Sequence, residues 1–311
     1  MTTRVGIIGL SQGNGHPFSY SSIINGYSDR GLHEAGWPGI YDYVRCRHAS
    51  DFGVGDLKVT HAWTQDSSQT SSLCLAANIE HAVSAPENMI GEVDAVIIAR
   101  DDHATHRYFA EPFLDANIPV FIDKPLTLNR DDLEYFTPFL EKGVLMSCSG
   151  MRYAKELDAL RSDTSDYGNL KMVRGAIVNN WECYGIHLLD AIFPLLKSRP
   201  VSVRALSSHH ECLAITMSDG MSVVIDALHE TPKILRAEFF GSRKITSHDI
   251  SDNFSMFRRL LWEFWGMVRH QRPPYSPQCT IDIINTLIAG KQALQTKSEV
   301  AIDAYKLQPI V

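Results

Sequence analysis

The sequence predicts an α/β protein in two parts: a doubly wound domain built on a parallel sheet, followed by an α+β domain with an open, mostly antiparallel sheet. The chain has 311 residues, which is long for one core and short for three. Its first half alternates short apolar runs with amphipathic stretches, as parallel strands joined by crossover helices do. Its second half contains consecutive strands separated by turn residues, which indicates antiparallel pairing.

The first half begins with an apolar run that leads into a glycine-rich turn and then a helix. Pro17 suits the first turn of that helix, where a missing backbone N–H costs nothing. The later elements are assigned from apolar character and period. The predicted strands are 4–10, 58–64, 94–99, 119–122 and 144–149, and the predicted helices start near His16 and cover 106–117 and 131–142.

The second half changes from alternating elements to a series of strands. Turn residues such as Ser218, Asp219 and Gly220 separate them. We place the domain boundary near Gly150, which gives domains 1–149 and 150–311. The predicted strands are 170–179, 201–208, 211–217, 221–228, 234–240 and 243–248, and the predicted helices are 185–196, 254–270 and 279–297.

Composition and charge restrict the class of protein. Hydrophobic residues make up 44% and charged residues 21%, which is typical of a globular chain. The net charge of −7 provides no basic field, so we expect no nucleic-acid or membrane partner. The six cysteines form no C-x-x-C pair and indicate reduced thiols. With no signal-peptide pattern and no apolar run near the roughly 20 residues of a membrane helix, we expect a cytoplasmic protein.

The glycine-rich turn is the first candidate for a ligand site. A turn between a strand and a helix lets backbone amides approach a pyrophosphate, and the helix N-terminus adds a favourable dipole. The spacing departs from G-x-G-x-x-G, because Ser11 occupies the second glycine position. An ordinary tight turn is the alternative. The candidate cofactor-binding residues here are Gly9, Ser11, Gly13, Asn14 and Gly15.

Two further segments follow predicted parallel strands, at the edge where ligands of such sheets bind. After the second strand come Thr64 and Asp66, and Asp66 lies slightly late for a ribose-binding carboxylate. No arginine is adjacent to bind a 2′-phosphate, so NAD and NADP both stay open. After the third strand, the candidates are Arg100, Asp101 and His106.

Histidines in that third segment raise the question of a metal. His103 and His106 have i,i+3 spacing, but no cysteine or carboxylate with metal-site spacing accompanies them. We therefore predict no metal and expect Asp102 to cap the following helix.

Lysine and histidine provide candidates for proton chemistry. Asp123 and Lys124 follow a strand and precede Pro125, which fixes the chain, so the lysine is expected to face the ligand crevice. His187 lies at the start of an apolar helix with Asp190 one turn later on the same face. Histidine carries protons near neutral pH. A surface lysine and a structural histidine are the alternatives.

These features occur in the order found in one family. The chain resembles the Gfo/Idh/MocA oxidoreductases over nearly its whole length. Residues 94–128 are similar to the family's strand, N-H-x-x-H helix and E-K-P segment. Residues 167–170 are similar to its G-x-(I/L) entry to the second domain, residues 185–190 to its G-x-H-x-x-D helix, and residues 272–274 to the segment before its final helix.

The resemblance implies an N-terminal Rossmann domain that binds NAD or NADP, and hydride transfer between the nicotinamide and a secondary alcohol or ketone of a sugar or sugar derivative. Lys124 and His187 would be the catalytic pair: His187 as base, and Lys124 bonding the reacting oxygen and lowering the pKa of His187. The substrate would lie on the open sheet. Its expected contacts are Lys124, Arg152, Tyr153, Asn179, Trp181 and His187.

Three positions depart from the family pattern. Ser11 lies in the glycine turn, and Asp123 replaces the usual glutamate before the lysine. Cys183 stands where the family often has an aspartate, with Glu182 adjacent. The carboxylate that would support His187 is therefore missing or is supplied by a neighbour.

Two other functions stay open. One is redox-neutral use of NAD, as in NAD-dependent glycosidases. The other is a non-catalytic protein of the same fold that binds a nucleotide or sugar, which the retention of both Lys124 and His187 argues against. The resemblance also implies a homodimer or homotetramer formed through the open sheet.

Residues 27–57 have no place in the predicted pattern, because a helix and the next strand are usually joined by a few residues. They include Trp37, Tyr41 and Tyr43. They are either a surface elaboration or a functional segment, such as a flap over the cofactor or an oligomer contact.

Overall fold

A computed structural model describes residues 2–302 of the chain. The strands in chain order are β1 (Thr3–Ile8), β2 (Leu57–Trp63), β3 (His81–Ala82), β4 (Ala95–Ile98), β5 (Val120–Ile122), β6 (Leu145–Met146), β7 (Leu170–Ile177), β8 (Pro200–Leu206), β9 (Glu211–Met217), β10 (Ser222–Ala227), β11 (Leu235–Gly241), β12 (Ile245–Asp249) and β13 (Val300–Ala301). The helices are α1 (His16–Asn25), α2 (Asp29–Glu34), α3 (Pro38–Arg45), α4 (Ser67–Ala76), α5 (His106–Asp115), α6 (Arg130–Lys142), α7 (Asp158–Ser162), α8 (Trp181–Ile192), α9 (Asn253–His270) and α10 (Pro277–Thr296).

The chain divides into two compact units, and the first is built on a parallel sheet. Its strand order is β3-β2-β1-β4-β5-β6, and each neighbouring pair is parallel. Strands β1, β4 and β5 consist almost wholly of buried apolar residues, as strands covered by helices on both faces must. The strand order reverses between β1 and β4, so the predicted doubly wound Rossmann fold is confirmed.

The division between the units includes a return of the chain. The first unit contains residues 2–147 and also Asn253–Tyr275, whereas the second contains Cys148–Asp252 and residues 276–302. The predicted boundary at 149/150 lies two residues from the first crossing. The return was not predicted, because the amphipathic pattern of α9 identifies a helix and not its partner. The ring of Phe257 packs against that of Tyr20 with a centroid distance of 5.4 Å. The ring of Phe264 packs against that of Phe121 with a centroid distance of 6.0 Å.

The unassigned segment 27–57 forms α2 and α3 and packs within the first unit. The hydroxyl of Tyr43 donates to Ser19 on α1 at 2.6 Å, and burial raises the pKa of that phenol above its usual value. Phe52 packs edge-on against Phe254 at 5.5 Å. These contacts are those of a structural layer over α1 and α9, and they favour the surface elaboration over the flap.

The second unit contains a mixed sheet with the order β12-β11-β7-β10-β9-β8-β13. Its pairs are antiparallel except for β7 with β10, which is parallel. The expectation of an open, mostly antiparallel sheet is confirmed, although the α8 crossover between β7 and the later strands introduces the parallel pair. One face packs against helices: a Cβ on Gly175 would lie 2.7 Å from Leu188 of α8.

Among residues 2–302, no helix has both the length and the apolar character needed to cross a membrane.

Candidate active site

The carboxyl ends of β1, β4 and β5 carry the candidate residues of the first unit. Parallel pairing places these ends at one edge of the sheet, and the reversal of strand order between β1 and β4 opens the crevice where doubly wound proteins bind ligands. The geometry of this edge depends on short hydrogen-bonded connections between the three strand ends.

The glycine-rich turn connects β1 to α1 with its backbone exposed at Gly13. That residue has φ of +79° and no atom within 4 Å of the place a Cβ would occupy. At Gly9, by contrast, a Cβ would lie 2.6 Å from the ring of Pro17, and at Gly15 it would lie 2.6 Å from Trp37. Gly13 therefore leaves room for a ligand, and the other two glycines allow close packing of the turn.

Two polar side chains fasten this turn to the neighbouring strand ends. The amide of Gln65, directly after β2, accepts from the backbone N–H of Leu10 at 2.8 Å and donates to its carbonyl at 2.6 Å. Arg100, after β4, donates to the same carbonyl at 3.0 Å. Gln65 was not among the predicted residues, since nothing in its sequence position distinguishes it from a surface glutamine.

Ser11, the departure from the glycine pattern, connects to Lys124 through Asp101. The hydroxyl of Ser11 donates to the carboxylate of Asp101 and accepts from its backbone N–H at 3.1 Å. The other carboxylate oxygen of Asp101 lies 3.3 Å from Nζ of Lys124. Lys124 is only 6% exposed, so its position is restricted by packing and by this ion pair. The structure thus brings together three of the predicted residues.

Asp123 is fully buried and accepts several hydrogen bonds at the other side of the turn. Nδ1 of His16 lies 2.5 Å from its carboxylate, and the amide of Asn14 donates to it at 3.0 Å. Burial alone raises the pKa of Asp123, but the charges of His16 and Lys124 and these hydrogen bonds outweigh it and hold the pKa well below its usual value. Asp123 therefore organises the turn as a buried carboxylate, and it is not accessible to a cofactor.

His106 is enclosed within the protein. Its exposed fraction is 0%, and its ring nitrogens lie 2.9 Å from the carbonyl oxygens of Leu126 and Arg100. Burial lowers its pKa, against the opposing effect of these carbonyls. The expectation that His106 contacts a cofactor does not fit this position, because the ring is enclosed and both nitrogens face backbone carbonyls.

Three acidic or hydroxyl side chains near these strand ends have local roles. Thr64 is buried and donates to the backbone carbonyl of Asp66 at 2.6 Å, while Asp66 caps α4 by accepting from the N–H of Ser68 at 2.8 Å. The expectation that Asp102 caps a helix is wrong: its side chain makes no capping bond. Its carboxylate instead forms a two-point pair with Arg100, at 2.9 and 2.6 Å.

In the second unit, His187 on α8 is held by a serine that sequence reasoning missed. The hydroxyl of Ser149 lies 2.6 Å from Nδ1 of His187. Asp190 accepts from the backbone N–H of Ser149 at 2.7 Å, so the motif aspartate positions the serine that positions the histidine. The i,i+3 spacing of His187 and Asp190 predicted a shared face but gave no information about Ser149.

Arg152 belongs to the same cluster. Its guanidinium donates twice to Asp190, at 2.9 and 2.6 Å, and it is only 5% exposed. Burial raises the pKa of Asp190, although the charge of Arg152 and the bond from Ser149 oppose it. Arg152 therefore supports the His187 cluster through a buried ion pair, and its expected substrate contact stays a prediction.

The other expected substrate residues lie in different surroundings. Trp181 is 1% exposed and its indole N–H donates to the carbonyl of Leu287 at 3.0 Å, which makes it a core residue instead of a substrate contact. Asn179 is exposed and has φ of +70°. Tyr153 is half-buried at the end of the short 3₁₀ turn Gly150–Tyr153.

Cys183 is exposed on the first turn of α8, one turn before His187. Its backbone N–H donates to the side chain of Asn180, which caps the helix at 2.9 Å. The adjacent Glu182 pairs with Lys291 of α10 at 3.0 Å. The carboxylate of this neighbour is thus engaged by α10.

Comparison with family models matches residues 36–144 to a model described as "Oxidoreductase family, NAD-binding Rossmann fold", the GFO_IDH_MocA model. The matched stretch lies within the first unit and includes β2, β4, β5 and Lys124. Over this segment the chain is similar to the Gfo/Idh/MocA oxidoreductase family. The resemblance drawn from the sequence motifs is therefore confirmed over residues 36–144, and this segment matches an NAD-binding Rossmann fold.

Solved structures of similar fold include three inositol dehydrogenases. A scyllo-inositol dehydrogenase from Lactobacillus casei with bound NAD(H) and scyllo-inositol has a TM-score of 0.76 at 13% identity, with 98% of this chain and 100% of that chain covered. A myo-inositol dehydrogenase from the same organism, in complex with NAD(H) and myo-inositol, has a TM-score of 0.76 at 15% identity and 99% coverage of both chains.

The myo-inositol 2-dehydrogenase of Lactobacillus plantarum has a TM-score of 0.76 at 16% identity, with 97% of this chain and 100% of that chain covered. A comparison with curated protein sequences finds no match.

Proposed function

We propose that the protein is an NAD-dependent dehydrogenase that transfers hydride between the nicotinamide and a secondary alcohol of a cyclic polyol or sugar. The observation that carries the proposal is the buried Lys124 at the carboxyl end of β5 in a unit that matches an NAD-binding family model. An ion pair fixes the position of the ammonium group of a lysine in a ligand crevice, whereas the ammonium group of a surface lysine moves freely.

The residues of the first unit fit a dinucleotide. The bare backbone at Gly13 leaves space in front of the turn, and the N-terminus of α1 follows it with a favourable dipole for phosphate. Asn14 already accepts from the N–H of His16 at 2.9 Å, and Pro17 has no N–H. We therefore assign pyrophosphate binding mainly to the turn and not to the first amides of α1.

The choice of NAD follows from the end of β2. A 2′-phosphate needs a basic side chain there, and residues 64–68, Thr-Gln-Asp-Ser-Ser, contain none. Asp66 is exposed, and its carboxylate oxygen Oδ1 caps α4. A capping carboxylate keeps its negative charge, so Asp66 can still bind a ribose hydroxyl. We therefore propose NAD, and not NADP, as the preferred cofactor.

Bound NAD⁺ would supply the hydride acceptor. His187 takes the hydroxyl proton, and we assign this transfer to Nε2, the ring nitrogen opposite the one that Ser149 holds. For Nε2 to accept a proton, Nδ1 must carry the hydrogen and donate it to the serine hydroxyl. Lys124 donates to the reacting oxygen and stabilises its developing negative charge.

Asp101 has a positioning role in this proposal. Its carboxylate forms an ion pair with Nζ of Lys124 at 3.3 Å and accepts a hydrogen bond from the hydroxyl of Ser11. The ion pair keeps the ammonium group in place before substrate arrives. The substitution of serine for the second glycine is thereby coupled to the position of the lysine.

The test is turnover with a panel of inositols and sugars, including myo-inositol and scyllo-inositol, with NAD⁺ and NADP⁺ compared at equal concentration. We expect reduction of NAD⁺ by at least one cyclic polyol. Binding of NAD(H) with conversion of a glycoside but no net reduction would indicate the redox-neutral alternative. Failure to bind either dinucleotide would contradict the proposal.

We also propose that the protein is a cytoplasmic homodimer or homotetramer assembled through the open face of the second sheet. The exposed apolar side chains of Leu206 and Ile245, 42% and 66% exposed, support this, because an apolar sheet face normally packs against a partner. Light scattering at micromolar concentration tests it, and a monomer would contradict it.

A further inference from the structure

Three potential metal ligands lie together on the second sheet, outside the candidate active site. The atoms of His210, Cys212 and Asp226 that can bind a metal all lie within 4.8 Å of one another. His210 and Cys212 are separated by one residue at the start of β9, and Asp226 of β10 is the direct cross-strand neighbour of Cys212. Alternation along a strand directs all three side chains to the same face.

That face is the one opposite α8. Gly175 and its register partner Ile225 face Leu188 of the helix, so the next residue, Asp226, points the other way. The Asp226 residue is nevertheless only 3% exposed. A buried carboxylate needs compensating charge, and here the guanidinium of Arg174 provides it.

Neighbouring side chains orient the ligands as a metal site requires. Nδ1 of His210 lies 2.8 Å from the hydroxyl of Ser208, and Nε2 faces Oδ1 of Asp226 at 2.8 Å. Arg174 donates to the other carboxylate oxygen, Oδ2, at 2.7 Å. A second partner on the distal nitrogen or oxygen is the arrangement that fixes ligand orientation in metal sites.

We propose that His210 Nε2, Cys212 Sγ and Asp226 Oδ1 bind a divalent transition-metal ion of the Zn²⁺ class, with the fourth position open to water. Nitrogen, sulfur and carboxylate oxygen are the zinc ligands of proteins, and around one tetrahedral ion they lie roughly 3–4 Å apart. To reach that spacing, the present contact between His210 Nε2 and Asp226 Oδ1 at 2.8 Å must open, while all three ligand atoms already lie within 4.8 Å of one another. The metal would link β9 to β10, and it would take no part in the proposed hydride transfer.

The protons of the cluster determine how binding depends on pH. A cysteine binds a metal ion as its thiolate, and the thiol proton passes to solvent. Metal binding must therefore release the thiol proton, and affinity should fall as the pH falls.

The experiment is titration of the full, metal-stripped protein with Co²⁺, followed by displacement with Zn²⁺. We expect one equivalent to bind, with a thiolate-to-cobalt charge-transfer band and the intense visible bands of a four-coordinate site. Cys212→Ser should remove the charge-transfer band, and His210→Ala and Asp226→Asn should each weaken Co²⁺ binding at least about tenfold, since even loss of an outer partner costs that much.

Matched controls are His209→Ala, at the adjacent histidine, and Cys46→Ser, at an exposed thiol; both should keep the site. Melting curves with and without Zn²⁺ show whether each variant folds, and Zn²⁺ should raise the melting temperature of the wild type but not of Cys212→Ser. A charge-transfer band that survives in folded Cys212→Ser, or no stoichiometric binding by the wild type, would overturn the proposal.

Discussion

The hydroxyl of Ser149 lies 2.6 Å from Nδ1 of His187, and Asp190 bonds the backbone N–H of the same serine at 2.7 Å. The aspartate of the motif therefore acts on the histidine through Ser149. In this arrangement the hydroxyl of Ser149 helps to set the orientation of the ring. The rate of proton transfer should depend on that bond.

Ser149→Ala should lower kcat roughly 5- to 10-fold, the rate equivalent of one lost hydrogen bond of about 1 kcal/mol. The loss should appear mainly in kcat, because the substitution affects the orientation of His187 and not cofactor binding, and the pH profile of kcat/KM should shift. The neighbouring Ser147→Ala, also at a buried serine, is the control. An unchanged pH profile and kcat in Ser149→Ala would show that the bond has no role in turnover.

Gly13→Val should weaken binding of NAD(H) by blocking the close approach of the pyrophosphate to the turn. Gly91→Val is the matched control for backbone strain, because Gly91 also has a positive φ, +88°, with no atom within 4 Å of an added Cβ. Gly91 precedes the amino end of β4, at the opposite edge of the sheet. Equal dinucleotide affinity in both folded variants would contradict the assigned cofactor position.

The pattern of apolar residues predicted most strands and the longer helices, but it gave no helix at α4 or α7 and placed α8 four residues late. It placed α6 at 131–142 against the observed Arg130–Lys142, and the strand 211–217 as observed in β9. These elements are long or regularly patterned, so their period is evident. Strand β3, with two exposed residues, gives no such signal.

The site residues were predictable only where a motif carried them. Lys124 and His187 followed from their places in the family pattern, whereas Gln65 and Ser149 depend on contacts between residues 55 and 38 positions apart. Trp181 shows the opposite error. It was expected to contact a substrate on the open sheet, but close packing over Gly185 and Gly290 makes it a core residue.

His106 should make the stability of the protein depend on pH. Burial lowers its pKa from 6.5 in the folded protein, so the unfolded chain takes up a proton at a pH where the folded protein does not. The stability contributed by neutral His106 is complete above pH 6.5 and is lost as the pH falls towards the folded pKa.

Urea unfolding at several pH values tests this. The free energy of unfolding of the wild type should fall more steeply below pH 6.5 than that of His106→Gln, which lacks this titration. The other twelve of the 13 histidines are common to both proteins and cancel in the comparison. Parallel curves would mean that His106 does not contribute.

We propose that Lys124 and His187 act on one proton transfer, and a double-mutant comparison tests this proposal most directly. His187→Ala and Lys124→Ala should each lower kcat by about 10²–10⁴ while the Kd for NAD(H) is largely retained, and Cys183→Ala, one turn before the histidine, should keep most activity. The double variant should be little worse than the poorer single variant, because the second loss removes support from a step already lost. Multiplicative losses in the double variant, or full activity in His187→Ala, would contradict the account.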